Sequence, residues 1–377
     1  MDIGIAGGGI NGLCCAWVLQ QQGHTVHLYE RDRIVAATSS ASSKLLHGGL
    51  RYLENREFRL VREALRERDA WLERVPQLTS PLRLVLPVYG DSRRPRWMMG
   101  IGLFLYDRLA GKSILPPSRW LSASEILRRD PAFRSEGLKG GYEFSDGQMD
   151  DHALGLWVAE QARAEGAVIH EQCGVRAVST NGSITLEDGS VRQHERVLNI
   201  CGPWAERLLE NSGIKSPYKL DLIRGSHLVL QQPCNQAYLL EVPGERRIIF
   251  VLPWKGQTLV GTTEVRQELG SPIRCADEER EYMLGIIKHY FPALEPENFE
   301  IKSFAGVRTF FAGRAWSLPM FTIRVALFRA RTNTAIRWSS AAQPLGPIAP
   351  SFAATPWENT PLSAPVLLLI ATCRPTR

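Results

Sequence analysis

Ile3-Gly4-Ile5-Ala6-Gly7-Gly8-Gly9-Ile10-Asn11-Gly12 stands at the head of the chain, and its reading decides the fold. Ile3, Ile5 and Ala6 predict a short buried strand. The glycine turn follows at once, and Leu13 to Gln22 predict a helix that stops at Gly23. Thr25-Val26-His27-Leu28-Tyr29-Glu30 predicts a second strand ending on an acid. Strand, Gly-x-Gly-x-x-Gly and helix make a βαβ unit whose turn cradles a pyrophosphate. Gly7 permits the tight turn, Gly9 lets backbone approach the diphosphate, and Gly12 lets helix and strand pack closely. The helix N-terminus offers unpaired N–H groups and partial positive charge. Glu30 is placed to accept hydrogen bonds from a ribose hydroxyl. The motif does not by itself separate NAD from FAD.

The chain has 377 residues, enough for two domains of ordinary size. It begins close to its first strand, so no signal peptide is expected, and its longest apolar runs fall short of a membrane span. Seven cysteines, an odd number with no Cys-x-x-Cys, fit a reduced, cytoplasmic protein. Cys14 and Cys15 read as packing residues of the first helix. The formal charge of +6 is misleading: residues 312–377 hold seven arginines against the single acid Glu358, which accounts for all of it. The basic balance is therefore a property of the tail and does not point to nucleic acid. No metal-ligating pattern is present.

After Glu30 the chain runs Thr38-Ser39-Ser40-Ala41-Ser42-Ser43-Lys44-Leu45-Leu46-His47-Gly48-Gly49-Leu50-Arg51-Tyr52-Leu53. Hydroxyls and a lysine can wrap a diphosphate, and Gly48 and Gly49 let backbone lie flat against an aromatic ring. With these residues the chain resembles the FAD-dependent glycerol-3-phosphate dehydrogenases, the respiratory, quinone-linked enzymes of the glycine/D-amino-acid oxidase-like superfamily. The likeness recurs in order at Asp150-Asp151, Cys201-Gly202-Pro203-Trp204, Leu222-Ile223-Arg224-Gly225-Ser226-His227, Phe250-Val251-Leu252-Pro253-Trp254, Gly261-Thr262-Thr263-Glu264 and Ala305-Gly306-Val307-Arg308. It covers about residues 1–311.

The fold this resemblance implies is α/β: a Rossmann-like, doubly wound FAD-binding domain interleaved with an antiparallel-sheet substrate domain. The expected pieces are 1–80 and 146–215 for the cofactor, and 81–145 and 216–311 for the substrate. Residues 312–377 form an atypical tail. Residues 54–75 predict a basic amphipathic helix with Arg59–Glu63 as an i,i+4 pair. Leu82 to Val88 alternate like a strand. Ser122 with Glu125 predicts a capping box, Asp151 a cap for the next helix, Glu187 to Ser190 a hairpin turn, and Glu278 to Tyr290 a helix. Arg93 to Tyr106 mixes cations, Trp97 and apolar residues; it reads equally as a segment dipping into a membrane surface and as a buried loop and helix.

The tail lacks Asp and Lys altogether. The family's Gly-Gly-Lys loop and Thr-Tyr-Arg are missing there. Ser340-Ala341-Ala342 is what a one-base shift makes of Phe-Gly-Gly, and Ile348 to Ser351 is what it makes of Tyr-Arg-Thr-Leu. A displaced reading frame and a divergent, disordered tail are the two readings.

The resemblance implies oxidation of sn-glycerol 3-phosphate to dihydroxyacetone phosphate, with electrons passed to a quinone. It also implies peripheral attachment to the inner face of the cell membrane, and a homodimer. Arg51, with Tyr52 beside it, corresponds to the residues that bind substrate phosphate; a guanidinium fork suits such a dianion. His227 corresponds to the histidine near the reacting carbon, a general base or hydroxyl-orienting group. Arg308 corresponds to an arginine that faces substrate, and Thr309 stands where the family usually has proline. For FAD the resemblance points to Gly7, Gly9, Asn11, Gly12, Glu30, Arg31, Thr38, Ser39, Ser40, Ser43, Lys44, Leu45, Gly48, Gly49, Val175 and Gly202. His47 reads as structural. The rival readings are another FAD-dependent oxidase of the superfamily, acting on amino acids or 2-hydroxy acids, and an inactive truncated flavoprotein, since the altered tail would impair activity.

Overall fold

The computed structural model describes residues 1–216, 219–295, 298–311 and the strand 366–368. Strand β1 (Asp2–Ala6) enters the glycine turn, α1 (Ile10–Gln21) leaves it, and β2 (Thr25–Tyr29) returns beside β1 in parallel register. Gly23 closes α1 at φ 80°, its N–H bonded to the Gln20 carbonyl at 2.9 Å. Eight consecutive residues of α1, Gly12 to Leu19, are buried. A helix that is apolar all round must be covered all round. The sheet covers one side, and α5 (Asp151–Ala164) packs along another. Cys14 and Cys15 lie in this core as packing residues, and burial pushes the Cys14 thiol up to about 12.

Two more parallel strands extend this sheet within the body of the chain. β7 (Val168–His170) pairs with β2, and β11 (Arg196–Asn199) pairs with β1 on its other edge. Beyond β11 lies β18 (Val366–Leu368), also parallel, so three residues of the tail join the first sheet. The other statements about 312–377 concern residues outside those described. A small antiparallel sheet of β8 (Val175–Val178), β9 (Ser183–Leu186) and β10 (Val191–Gln193) sits between β7 and β11 in sequence, with the Glu187–Ser190 turn as expected. Helix α6 (Ala205–Asn211) packs on β8.

The second large sheet is mostly antiparallel and has ten strands. β4 (Thr79–Tyr89) and β6 (Leu138–Met149) form its long central ladder. β3 (Leu45–Leu46) and β5 (Arg119–Ser122) both pair with β6. From β4 the sheet continues through β13 (Ala237–Glu241), β14 (Ile248–Trp254) and β15 (Gln257–Gly261) to β12 (Leu220–Leu230). One edge of β12 takes β15 and then β16 (Val265–Arg266); its other edge is paired along its length with β17 (Ile301–Phe311).

Four helices cover this sheet. α2 (Phe58–Arg74) and α3 (Arg96–Ala110) lie over β6, with Leu65, Leu103, Tyr106 and Phe144 in their shared core. α4 (Ala123–Arg129) and α7 (Asp277–Tyr290) enclose a second core around Tyr238, Met283 and Ile287. Ser122 and Glu125 form the predicted capping box. One expected cap is corrected: Asp150 caps α5 through the Ala153 N–H at 3.1 Å, while Asp151 is turned inward to Ser42 and Lys44.

A two-faced helix in the Arg93–Tyr106 segment

The segment is a helix, α3, with one buried and one exposed face. Met99, Leu103 and Tyr106 are buried, whereas Trp97, Met98, Ile101, Phe104 and Leu105 are exposed, Trp97 at 66%. Arg96 lies over the Trp120 ring at 3.8 Å and Arg108 over Phe104 at 5.4 Å, so cations flank the apolar stripe. None of the described helices is long and apolar enough to cross a membrane.

Candidate functional site

The glycine turn has no slack. A Cβ on Gly12 would sit 1.9 Å from the Gly7 carbonyl oxygen, and one on Gly7, at φ 112°, would sit 2.4 Å from that of Ile200. Gly9 is different: its missing Cβ would meet only the Ser39 hydroxyl, at 3.0 Å. That hydroxyl accepts the Ile10 N–H at 2.9 Å, capping α1 where the sequence led us to expect a pyrophosphate alone. Glu30 also has a second task. Its carboxylate accepts the Gly8 N–H at 2.6 Å and the Asp32 N–H at 3.1 Å, clasping the turn from the end of β2.

A cleft of about 300 Å³ starts at this turn. Gly7, Gly9, Asn11, Glu30, Arg31, Thr38, Ser39, Val175, Gly202 and Arg308 all line it. Arg31 lies over the Trp204 ring at 4.2 Å and forms one wall with it. Val307, Arg308 and Thr309 of β17 line it as well. The cleft thus joins the phosphate-binding turn to the second sheet, as an elongated dinucleotide requires. Asn11 Oδ1 is shielded there without a partner among the described residues. A buried orphan acceptor in the wall of a polar cleft fits a ligand that supplies a donor.

The Thr38–Gly49 segment ties the two sheets together. Thr38 Oγ1 donates to the Val307 carbonyl at 2.8 Å, and Ser43 Oγ meets His227 Nε2 at 2.9 Å. Several of its residues also have structural partners. Lys44 Nζ is buried against Asp151 Oδ1 and the Ser40 carbonyl, both at 2.7 Å, so it staples the loop to α5. Ser40 turns its hydroxyl to the Ala37 carbonyl at 3.0 Å. Leu45 is a strand residue opposite Gln148. A Cβ on Gly48 would meet Leu65 and the Tyr106 hydroxyl, and Gly49, at φ 72°, makes the turn. His47 is structural: burial lowers its pKa, with Asp146 opposing.

His227 lies on β12 between Gly261 and Phe304, 3% exposed, its ring stacked on Phe304 at 4.8 Å. Nδ1 has no partner among the described residues. Burial, then the charges of Arg308 and Lys44, push its pKa down to about 3. The imidazole is therefore neutral at physiological pH. It can accept a hydrogen bond but stores a proton poorly.

Arg308 faces Glu264 at 3.8 Å and donates to the Thr263 carbonyl at 3.4 Å. Burial draws its pKa down while Glu264 and Tyr52 oppose, so Tyr52 lies near enough to act on it. Arg247 faces the other oxygen of Glu264 at 3.9 Å and donates to the Thr262 carbonyl at 3.4 Å. Two guanidiniums thus share one carboxylate, and Arg247 also faces Glu245 at 3.9 Å; a guanidinium fork is the group suited to binding an anion here. Arg51 is at the rim, its Nη2 reaching the Arg246 carbonyl at 3.5 Å. Arg247 and the carboxylate Glu279, which anchors this corner from α7, were missed in the sequence. The partners that tie them to this corner, Glu264 for Arg247 and Ser226 and Thr263 for Glu279, are distant in sequence.

Known proteins bear the same organisation. Residues 2–325 match the FAD dependent oxidoreductase family. The glycerol-3-phosphate dehydrogenase of Pseudomonas aeruginosa is 39% identical over 324 residues, 81% of this chain and 61% of that protein. The D-erythritol 1-phosphate dehydrogenase of Brucella abortus is 36% identical over 326 residues, 82% of this chain and 64% of that protein. The chain thus spans under two thirds of the length of these relatives. The structure of the glycerol-3-phosphate dehydrogenase from Bacillus halodurans complexed with FAD superimposes with a TM-score of 0.65 at 27% identity, over 82% of this chain and 57% of that one. With the glycine turn, the cleft and the two interleaved sheets, these matches establish the family: the chain is a member of the FAD dependent oxidoreductases.

Proposed function

We propose that the protein binds FAD in the cleft and oxidises sn-glycerol 3-phosphate to dihydroxyacetone phosphate. The observation that carries this reading is the corner around Arg308, which itself lines the cleft. There Arg308 and Arg247 share Glu264, and the neutral His227 lies within reach of the Arg308 charge. Gly7, Gly9, Asn11, Glu30, Ser39, Val175 and Gly202 would hold the dinucleotide. Bound there, FAD supplies a two-electron acceptor for the hydride from C2.

The chain's own residues do the rest. Arg247, with Arg51 at the rim, takes the phosphate; an arginine fork gives it orientation as well as charge. Tyr52 lies beside Arg308. His227 accepts a hydrogen bond from the C2 hydroxyl and orients it. Its depressed pKa rises when a phosphate dianion offsets the neighbouring cations, which brings it closer to a general base. Arg308 remains a cation despite burial and shares the phosphate with Arg247, while the C2 oxygen stays on the substrate and becomes the carbonyl as its proton passes to His227.

Electrons pass on to a quinone, and the exposed stripe of α3 lies on an anionic lipid surface, with Trp97, Ile101 and Phe104 inserted and Arg96 and Arg108 at the headgroups. The protein is then attached to the inner face of the cell membrane. Residues 312–377 stand in a displaced frame, so turnover is low until the other frame is restored. Sequencing the DNA across codon 312 tests that point directly.

The decisive assay reduces a soluble dye with glycerol 3-phosphate, D-erythritol 1-phosphate, glycine and a 2-hydroxy acid in turn. A kcat/KM for glycerol 3-phosphate at least about tenfold above the others is expected, because the C2 alcohol and its phosphate must span a fixed distance. A preference for erythritol phosphate would move the substrate and keep the anion site. Turnover of glycine would overturn the reading.

A further inference from the structure

Glu279 is the most heavily engaged carboxylate in the second sheet, and the chemistry described so far does not use it. It lies on α7, 5% exposed. Its Oε2 accepts from Arg224 Nε at 3.0 Å, Arg224 Nη2 at 2.7 Å and the Ala276 N–H at 3.0 Å. Its Oε1 accepts from Ser226 Oγ at 2.8 Å and Thr263 Oγ1 at 2.5 Å. Burial pushes its pKa up, but the bonds from Thr263, Ala276, Arg224 and Ser226 outweigh burial and hold the carboxyl below its usual range.

The two residues on Oε1 lead straight to the site. Ser226 precedes His227 on β12. Its N–H donates to Thr263 Oγ1 at 2.9 Å, and the Thr263 N–H returns a bond to the Ser226 carbonyl at 3.3 Å. Thr263 is thereby fixed at its side chain and its backbone. Its carbonyl then receives Arg308, and the carbonyl before it, on Thr262, receives Arg247. Glu264, which both arginines face, is the next residue. Gly225 leaves the room for this: a Cβ there would lie 2.5 Å from Thr262 Oγ1 and 3.2 Å from Arg308 Nη2.

We propose that Glu279 is a positioning residue for the anion site: from behind the sheet it holds the Thr262-Thr263-Glu264 turn, whose carbonyls and carboxylate set Arg308 and Arg247 to grip a phosphoryl group. The proposal rests on the reading of that corner as the substrate-phosphate site. Two groups held through two backbone carbonyls move together when the turn moves. Loss of Glu279 therefore weakens ground-state grip on the anion more than it slows the chemical step.

The experiment uses the full chain and three variants: Glu279→Gln, Thr263→Val and, as a control, Met283→Ala. Met283 shares α7 and is fully buried in the apolar core. Binding of inorganic phosphate is measured by calorimetry, flavin content by absorbance, and KM and kcat for glycerol 3-phosphate by dye reduction. Glu279→Gln is expected to weaken phosphate binding and raise KM about tenfold each, with kcat within about threefold and flavin content kept. Thr263→Val should do the same, and the double variant should be no worse than the worse single, since both act through one linkage. Thr263→Val also carries the test if Glu279→Gln fails to fold. Met283→Ala should lower Tm and leave phosphate binding within about twofold. Unchanged phosphate binding in both polar variants, or equal weakening in Met283→Ala, would overturn the proposal. Phosphate binding that depends on Glu279 in a protein that does not oxidise glycerol 3-phosphate would sink the substrate assignment and support the positioning role.

Discussion

The two ends of the cleft are built by different means. The glycine turn is assembled mostly from backbone near the head of the chain, with the Ile200 carbonyl closing it, and its tolerances are those of atoms in contact: 1.9 Å at Gly12 and 2.4 Å at Gly7. The anion corner is assembled from side chains on strands far apart in sequence: Arg247 before β14, Glu264 before β16, Arg308 on β17 and Glu279 on α7. A backbone site fails through steric clash and takes the fold with it. A side-chain site fails through lost charge or misplacement and leaves the fold standing.

The largest effect should fall on the turn. Gly12→Val forces a side chain into the Gly7 carbonyl and should cost about 3 kcal/mol or more, with flavin lost on purification; thermal melting with flavin absorbance near about 450 nm reads both. Gly9→Val sharpens the contrast. Only the Ser39 hydroxyl opposes it, so the fold should survive while flavin binding goes. Flavin retained by Gly9→Val would remove the cleft from the diphosphate.

Next come the side chains of the corner. Arg308→Lys keeps the charge and loses the fork, and should lower kcat/KM about 10²-fold with Tm nearly unchanged. A Tm fall as large as that of Gly12→Val would erase the distinction between the two ends.

Acid should act on the corner before the turn. His227 is held near pKa 3 in the fold against about 6.5 in the unfolded chain. The unfolded state therefore binds the extra proton between these values. Stability is intact above about pH 6.5 and falls as pH drops toward 3, by a few kcal/mol in all. Urea melts from pH 7 to pH 4 should show a shallower loss for His227→Asn. An identical slope would mean that other groups carry the acid sensitivity.

The smallest effect belongs to neither end. Trp97→Ala should leave turnover with a soluble dye within about twofold and reduce co-sedimentation with anionic liposomes severalfold, more so in salt. Equal pelleting would place any membrane contact elsewhere.

The same contrast decides what could be read from residues in order. Gly7, Gly9, Gly12 and Glu30 were legible because their geometry is local, although the clasp of Glu30 on Gly8 was not foreseen. Lys44 was read as a phosphate donor because its counter-ion, Asp151, is 107 residues away. Arg51 was given the phosphate by resemblance, yet Arg247, which shares Glu264 with Arg308, has no signature at the end of the charged turn Pro243-Gly244-Glu245-Arg246. The helix at 54–75 was legible in kind and starts later, at Phe58, after the 3₁₀ turn Leu50–Leu53 and the residues that follow it. Asp150 and Asp151 exchanged roles as cap and ion-pair partner, a choice made by tertiary contacts that two adjacent acids cannot reveal.

The all-round burial of α1 has a consequence for synthesis. Its apolar residues are made well before α5, which begins at Asp151, and before β11, the other neighbour of β1, which ends at Asn199. For roughly 130 residues of translation the helix has only the sheet on one side as native cover, and for nearly 200 the strand has an open edge. At about 5–20 residues per second that is on the order of ten seconds or more of exposure. The first element of the fold is thus among the last to be completed, and the nascent chain is a natural client for a chaperone that shields short apolar helices.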